Sequence, residues 1–209
     1  MPALLGSGKV NVLTLIGSSK VADHIKKLHP KVNRLRAILG LDAKNAAIVM
    51  PDADMELAVK ECLLGALSFN GQRCTALKAL LVHSSIVSPF MLRLGQEIAK
   101  LRIGMPWQPG VHITPLAEPG KAAYLSECIR DAEALGARVV NPGGGTYCKS
   151  LFRPALVYPV REGMKLYREQ QFGPVIPVIP FDKVETALDY VAGAENGQQV
   201  STSAATPSW

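Results

Sequence analysis

The chain has 209 residues, 48% of them hydrophobic and 19% charged, which suits an ordinary globular core and argues against disorder. Its net charge of +6 comes from lysines and arginines spread along helical patterns without interleaved aromatics, so no nucleic-acid partner is expected and a phosphate-bearing small molecule accounts for the excess equally well. The cysteines, Cys62, Cys74, Cys128 and Cys148, show neither a CxxC pair nor a metal-ligand spacing, and no signal peptide or membrane-length apolar run is present; the expected setting is reducing and cytoplasmic, with no membrane partner and no metal.

Residues 10–16 read as a buried strand, Gly17-Ser18-Ser19 as a turn, and residues 20–28 as a helix with Val21, Ile25 and Leu28 on one face. Pro30 stops that helix and residues 35–39 resume as a strand, which makes a parallel crossover the simplest arrangement. Residues 46–50 form another strand. The next helix, residues 55–68, has Leu57, Val59, Leu63, Leu64 and Leu67 at its apolar positions and Asp52 or Asp54 as its cap. Asn70-Gly71 breaks it, and residues 78–83 form a short apolar strand of the kind found inside a covered sheet.

Residues 88–101 make an amphipathic helix, 103–113 a connection containing Gly, Pro and Trp, 122–135 another helix and 137–140 a strand. Gly143-Gly144-Gly145 is a surface turn, since it lacks the strand-to-helix context of a phosphate cradle. Strands at 155–160 and 175–179 and a helix at 184–191 follow. From Gln198 the chain turns polar, small and aperiodic, so residues 198–209 are expected to fray. An opening strand without partners before it and this tail together suggest that both ends are cut. The alternation predicts an α/β fold: a mainly parallel sheet flanked by helices.

Asn70-Gly71-Gln72-Arg73-Cys74-Thr75 is a turn that delivers one thiol, flanked by a cation, between a helix and a strand. Most cysteines are small buried hydrophobes. Loop position, the neighbouring Arg73 and a glycine that lets backbone approach a substrate mark Cys74 as a candidate nucleophile. Adjacent side chains of extended backbone point opposite ways, so Arg73 reads more readily as the holder of an anionic substrate than as a contact of the sulfur.

Four runs in order, Ile16-Gly17-Ser18-Ser19, Leu41-Asp42-Ala43-Lys44-Asn45, Phe69-Asn70-Gly71-Gln72-Arg73-Cys74 and Gln171-Phe172-Gly173-Pro174-Val175, resemble the aldehyde dehydrogenase superfamily. The resemblance covers about residues 12–200, less than half of a complete member. The run from Gly71 to Lys78 looks most like the NADP-dependent, non-phosphorylating glyceraldehyde-3-phosphate dehydrogenase branch. It implies oxidation of a small-molecule aldehyde with NADP or NAD, Cys74 adding to the aldehyde carbon and the resulting thioester being hydrolysed. Arg73 would hold a substrate phosphate. Gly17 and Ser18 match the turn beside the cofactor, Phe172 the aromatic near the nicotinamide, and Gln170 a position where many members bind the nicotinamide ribose through a glutamate. Residues 1–44 would be a remnant of the dinucleotide-binding domain and 45–197 an incomplete catalytic domain. Full members are homo-oligomers.

The chain also departs from the family pattern. Gly40 stands where most members carry the glutamate that activates water, and a glycine cannot be a general base. Either another carboxylate such as Asp42 substitutes, or deacylation is slow, or another acceptor takes the acyl group, as in the coenzyme-A-acylating branch. The oxyanion asparagine of the family would lie upstream of Met1; loss of one such donor costs about 100- to 1000-fold in turnover. An impaired enzyme, or a catalytically silent fragment that serves as an assembly partner, is therefore expected.

Overall fold

The computed structural model describes residues 1–205, and the chain divides into two compact units, Met1–Ala43 and a larger one from Lys44 onward. In the smaller unit, helix α1 (Pro2–Gly6) precedes strand β1 (Val12–Ile16), helix α2 (Ser19–Lys27), a single 3-10 turn (Val32–Arg34) and strand β2 (Arg36–Gly40). Strands β1 and β2 pair in parallel, from Val12 opposite Arg36 to Ile16 opposite Gly40. Ser18 starts α2: its hydroxyl accepts from the Val21 N–H at 3.3 Å, which satisfies a donor the first helical turn leaves unpaired.

The first strand is covered on one face only. Leu13 packs with Leu5 and Ile25, flanked by Val10, Leu15, Leu28 and Leu35, whereas Val12 and Ile16 alternate to the other face and stay exposed together with Ile38. The expectation of a buried strand is corrected to this half-covered one. Helix α2 likewise buries Ala22 and Ile25, while Val21, expected on the apolar face, is exposed.

The larger unit is built on a six-stranded sheet. Chain order is β3 (Ala46–Val49), α3 (Met55–Leu67), a 3-10 turn (Ser68–Gly71), β4 (Ala79–His83), α4 (Val87–Ala99), α5 (Lys121–Ala134), β5 (Arg138–Val139), the hairpin β6 (Tyr147–Cys148) and β7 (Leu151–Phe152), β8 (Ala155–Tyr158), α6 (Lys165–Arg168), β9 (Val175–Phe181), α7 (Val184–Ala192) and β10 (Val200–Ser203). The sheet order is β10-β3-β4-β9-β8-β5, parallel except for β5, which runs antiparallel to β8. The expected mainly parallel α/β architecture is thus the observed one.

Successive strand residues face opposite layers, and both layers are filled. Ala46, Ile48, Ala79, Leu81, Val157 and Ile179 meet α5, α6 and α7 on one face. Ala47, Val49, Leu80, Val82, Leu156 and Val178 meet α3 and α4 on the other. Coverage on both sides explains why β3, β4 and β9 are apolar throughout rather than alternating.

Helix α3 opens with Asp54 as N-cap, its carboxylate accepting from the Glu56 and Leu57 N–H groups at 3.0 Å each. Its buried face differs from the expected one: Leu57 and Leu64 are exposed, and Ala58, Val59, Cys62, Ala66 and Leu67 pack inward. Close approach is the reason, since a Cβ on Gly65 would lie 2.7 Å from Leu77 Cδ1.

The tail needs correction as well. Residues 200–203 do not fray but pair in parallel with β3, Val200 opposite Ala46 through Ser203 opposite Val49. Backbone groups do this work: Lys44 N–H donates to Asn196 O and Met50 N–H to Ser203 O, each at 2.9 Å, so a polar segment without an apolar period is held as a strand. The expectation for residues 206–209 lies outside the described residues. Among the described residues no helix is long and apolar enough to cross a membrane.

Candidate active site

The residues between α3 and β4 make a turn that most side chains could not adopt. Phe69 (φ 54°), Asn70 (φ 60°) and Gly71 (φ 67°) lie consecutively in the left-handed region. A short amide side chain is tolerated there, and that of Asn70 is anchored: its Oδ1 accepts from the Thr114 N–H at 2.9 Å and its Nδ2 donates to Thr114 Oγ1 at 3.0 Å. Gly71 is required twice over, by its φ and because a Cβ would lie 2.7 Å from both Ala66 O and Gly173 O. Phe69 has no such excuse. Its conformation stores on the order of 1–3 kcal/mol of strain beside the thiol.

Beyond this turn Cys74 is exposed, as is Cys148, whereas Cys62 and Cys128 are buried. Burial, with Glu61 adding to it, pushes the Cys62 thiol up to about 12 and burial also raises Cys128, so neither is a nucleophile. The loop around Cys74 is fixed from behind by Asn45, fully buried ahead of β3. Asn45 Nδ2 donates to Cys74 O at 2.6 Å and to Ala76 O at 3.1 Å, and its Oδ1 accepts from the Gln198 and Gln199 N–H groups at 3.3 and 3.2 Å. Gln199 Nε2 adds a bond to Thr75 O at 2.7 Å. Sequence reasoning missed Asn45; the available signal was a polar Lys-Asn pair directly ahead of an apolar strand.

A second buried polar chain runs through two lysines. Lys44 Nζ donates to Leu166 O and Glu169 O, each at 2.9 Å, and to Gln171 Oε1 at 2.6 Å. Gln171 Nε2 donates to Lys78 O at 2.7 Å, and Lys78 Nζ donates to Gly71 O at 2.6 Å. Burial pushes both ammonium groups from their ordinary 10.5 down to about 7. For Lys78 the Arg73 charge adds to burial, Cys74 opposes and Lys121 adds again; for Lys44 the Lys78 charge is the second cause. Three acceptors around Lys44 Nζ match the three N–H groups of its ammonium, whereas Lys78 Nζ has one hydrogen-bond acceptor, Gly71 O.

A base whose pKa falls on folding binds fewer protons folded than unfolded between the two values. Stability therefore rises with pH from about 7 toward 10.5 as the cost of burying the Lys78 charge disappears. Urea unfolding at about pH 7 and about pH 9 should show a gain on the order of 1 kcal/mol, reduced in Lys78→Met. An equal gain in the variant would exclude Lys78 as its source.

Arg73 is half-buried. Its guanidinium lies 5.6 Å from the centroid of the Phe69 ring, and its Nε is buried with no hydrogen-bond partner. With Ser68, Thr75, Gln199, Ser201 and Ser203 it lines a cleft of about 580 Å³. An orphaned guanidinium N–H among hydroxyls and an amide is a donor set suited to a phosphate or carboxylate. Cys74 is not among the lining residues, in keeping with the opposite directions of neighbouring side chains.

Phe172 is half-buried, with Lys78 Nζ at 4.9 Å and Lys121 Nζ at 6.0 Å from its ring centroid. Gln170, two residues before it, is half-buried too. Lys78 thus links three expected positions, Cys74, Arg73 and Phe172, within the larger unit. Gly17 and Ser18 belong to the smaller unit, at the end of β1, where a Cβ on Gly17 would meet nothing within 4 Å. Asp42 is committed locally: its Oδ2 accepts from both the N–H and the hydroxyl of Ser19 at 2.9 Å. Gly40 is the last residue of β2 and brings no acid.

Comparison with known proteins identifies the family and the fold. The model of the aldehyde dehydrogenase family matches residues 2–206. The NADP-dependent glyceraldehyde-3-phosphate dehydrogenase of Streptococcus equinus is 35% identical over 196 residues, covering 92% of this chain and 39% of that protein. The crystal structure of the enzyme of that description from Bacillus halodurans C-125, complexed with NADP, superposes with a TM-score of 0.89 at 27% identity over 97% of this chain and 41% of that one. Lactaldehyde dehydrogenase from Escherichia coli gives 0.90 at 30% identity, with 98% and 43% covered. The chain spans about two fifths of the length of the curated relatives it matches. On the family match across nearly its whole length, and with solved relatives of the same fold, the chain belongs to the aldehyde dehydrogenase family.

Proposed function

We propose that this chain carries the nucleophile and anion anchor of an NAD(P)-dependent oxidoreductase that converts an aldehyde to its acid. One observation carries the reading: Cys74, which follows the left-handed Phe69-Asn70-Gly71 turn, is exposed and lies next to an arginine whose Nε is buried without a hydrogen-bond partner among the described residues. The Cys74 thiolate forms a C–S bond to the aldehyde carbon as the carbonyl π pair moves onto oxygen, and the backbone N–H of Cys74 is positioned to donate to that oxyanion. Arg73 holds the distal anion of a substrate such as glyceraldehyde 3-phosphate, the substrate named for the relatives from Streptococcus equinus and Pisum sativum.

The residues present fit a dinucleotide in part. The open flank of Gly17 and the Ser18-capped start of α2 leave space at the carboxyl end of a parallel strand, a place such cofactors use, although the Ser19 N–H is already occupied by Asp42. Bound there, NADP or NAD would supply the hydride acceptor. Within the larger unit, taken by itself, Gln170 offers a carbonyl acceptor for a hydroxyl group and Phe172 an apolar ring face.

A second reading concerns the acyl acceptor. Glycine at position 40 supplies no base, and Asp42 is oriented toward Ser19 by two bonds to its Oδ2, which favours passing the acyl group from the Cys74 sulfur to a thiol such as coenzyme A, the Cys74 thiolate leaving.

Two measurements test the proposal. Incubation with glyceraldehyde 3-phosphate and NADP should release NADPH, faster with coenzyme A present if the second reading holds, and Cys74→Ser should lower the rate by about three orders of magnitude. Mapping of iodoacetamide adducts should find Cys74 labelled first, Cys148 next, and Cys62 and Cys128 protected. No nicotinamide reduction from any aldehyde, with Cys74 labelled no faster than Cys148, would leave a catalytically silent relative.

A further inference from the structure

One buried side chain, that of Lys78, bonds to the nucleophile turn and also faces the Phe172 ring. Lys78 is 1% exposed, and its Nζ donates to Gly71 O at 2.6 Å while lying 4.9 Å from the centroid of the Phe172 ring. The residue before Phe172 holds the same lysine from its main chain, through the bond from Gln171 Nε2 to Lys78 O, and Gln171 is itself held by Lys44. On the far side of Phe172, Gly173 O stands only 2.7 Å from where a Gly71 Cβ would be, so the two segments are already in close backbone approach.

We propose that Lys78 is a positioning residue that clamps the Cys74 turn to the Phe172 segment, so that one buried amine sets how the thiol is presented. The inference rests on reading Cys74 as the nucleophile. As an ammonium, Lys78 donates to the Gly71 carbonyl and is drawn to the face of the Phe172 ring by cation–π attraction. As a neutral amine it still has a proton for Gly71 O but loses the attraction to the ring. The charged and titratable groups facing it are Arg73 and Cys74 on the preceding loop, Lys121 at the start of α5 and Lys44 ahead of β3; burial first, then Arg73 and Lys121, with Cys74 opposing, bring its titration to about 7. The clamp therefore holds on the acid side of that value and slackens above it.

The test is the rate of Cys74 alkylation by iodoacetamide relative to that of Cys148 in the same chain, followed across this pH range. Cys148, exposed in the same chain, serves as the reference thiol. In the wild-type chain the ratio should fall through a step near pH 7. Lys78→Met, which keeps the length and apolar volume, should start roughly tenfold lower and show no step, since the loop loses the bond to Gly71 O and the nearby cation that together govern how reactive the thiol is. Lys78→Gln retains an N–H donor without a charge and should recover part of the rate but not the step.

Protection of Cys62 and Cys128 reports that the fold is intact. A wild-type ratio and step in Lys78→Met, with those cysteines protected, overturns the proposal. So does exposure of Cys62 and Cys128 in both variants, which would make Lys78 a core residue only. The measurement uses neither aldehyde nor nicotinamide cofactor, so a chain that oxidises nothing can still pass it, and an active enzyme can still fail it.

Discussion

Gly71→Ala should destabilise the larger unit by about 3 kcal/mol and slow alkylation of Cys74. The first contribution is conformational: an L side chain at φ +67° costs roughly 1–2 kcal/mol. The second is steric. The new Cβ would sit 2.7 Å from Ala66 O and from Gly173 O, and both are main-chain atoms that cannot swing aside as a side chain can. Relief requires moving the end of α3 or the segment after Phe172, the two walls of the nucleophile turn, which adds about 1–3 kcal/mol. Gly120→Ala is the internal control, because Gly120 has φ +77° with nothing within 4 Å of its added Cβ and so incurs the conformational cost alone. Urea unfolding of the two variants separates the contributions. Equal destabilisation would mean that the close approach at Gly71 carries no energy.

Asn45→Leu is expected to be comparably damaging, at about 3 kcal/mol or more, although it places an apolar side chain of similar size at a fully buried position. Asn45 donates to Cys74 O and Ala76 O and accepts from the N–H groups of Gln198 and Gln199. Leucine leaves those backbone groups without partners, and each unpaired buried group costs roughly 1–3 kcal/mol. Partial access to water for Gln198 and Gln199 keeps the sum below the maximum. The distinctive outcome is spatial: hydrogen exchange should quicken at Met50, whose N–H is bonded to Ser203 O across the β10 pairing, and Cys74 should lose its labelling advantage over Cys148 in the same variant. Asn45→Asp tests the two halves separately. A carboxylate keeps an acceptor for Gln198 and Gln199 but repels Cys74 O and Ala76 O, so Met50 should stay protected while the thiol loop is released. Exchange at Met50 unchanged in Asn45→Leu would show that the tail strand does not depend on this side chain.

The same positions show where linear reading succeeded. Elements with a clear period and a physical stop were legible: Asp54, one of two candidate caps, starts α3, a Gly-Ser-Ser turn precedes α2, Asn70-Gly71 breaks the chain ahead of the thiol, and the apolar run of β4 announces a sheet covered on both faces. Other features were not. Leu57 and Leu64 look like core residues by spacing, yet Ala58, Cys62 and Ala66 occupy the interface because α3 lies too close to its neighbours for leucines there. Residues 200–203 carry no apolar pattern, and their strand exists because β3 offers an open edge of backbone donors and acceptors. Small elements such as the β6–β7 hairpin and α6 are shorter than any period can reveal.

For the site, composition and local order determined the chemistry on offer: one thiol after a glycine turn, a guanidinium beside it, and an aromatic far along the chain. Only the tertiary structure decided which groups support it. Lys44, Asn45, Lys78 and Gln171 are polar residues in apolar surroundings, and nothing in the linear order says that an amine at position 78 reaches the carbonyl of residue 71, or that an amide at 171 bridges two lysines more than ninety residues upstream. Local sequence encodes turn conformations because those depend on steric freedom within a few bonds. Partners for buried polar groups are chosen by where the folded backbone leaves an unmet donor or acceptor, and that is settled only once the whole sheet has formed.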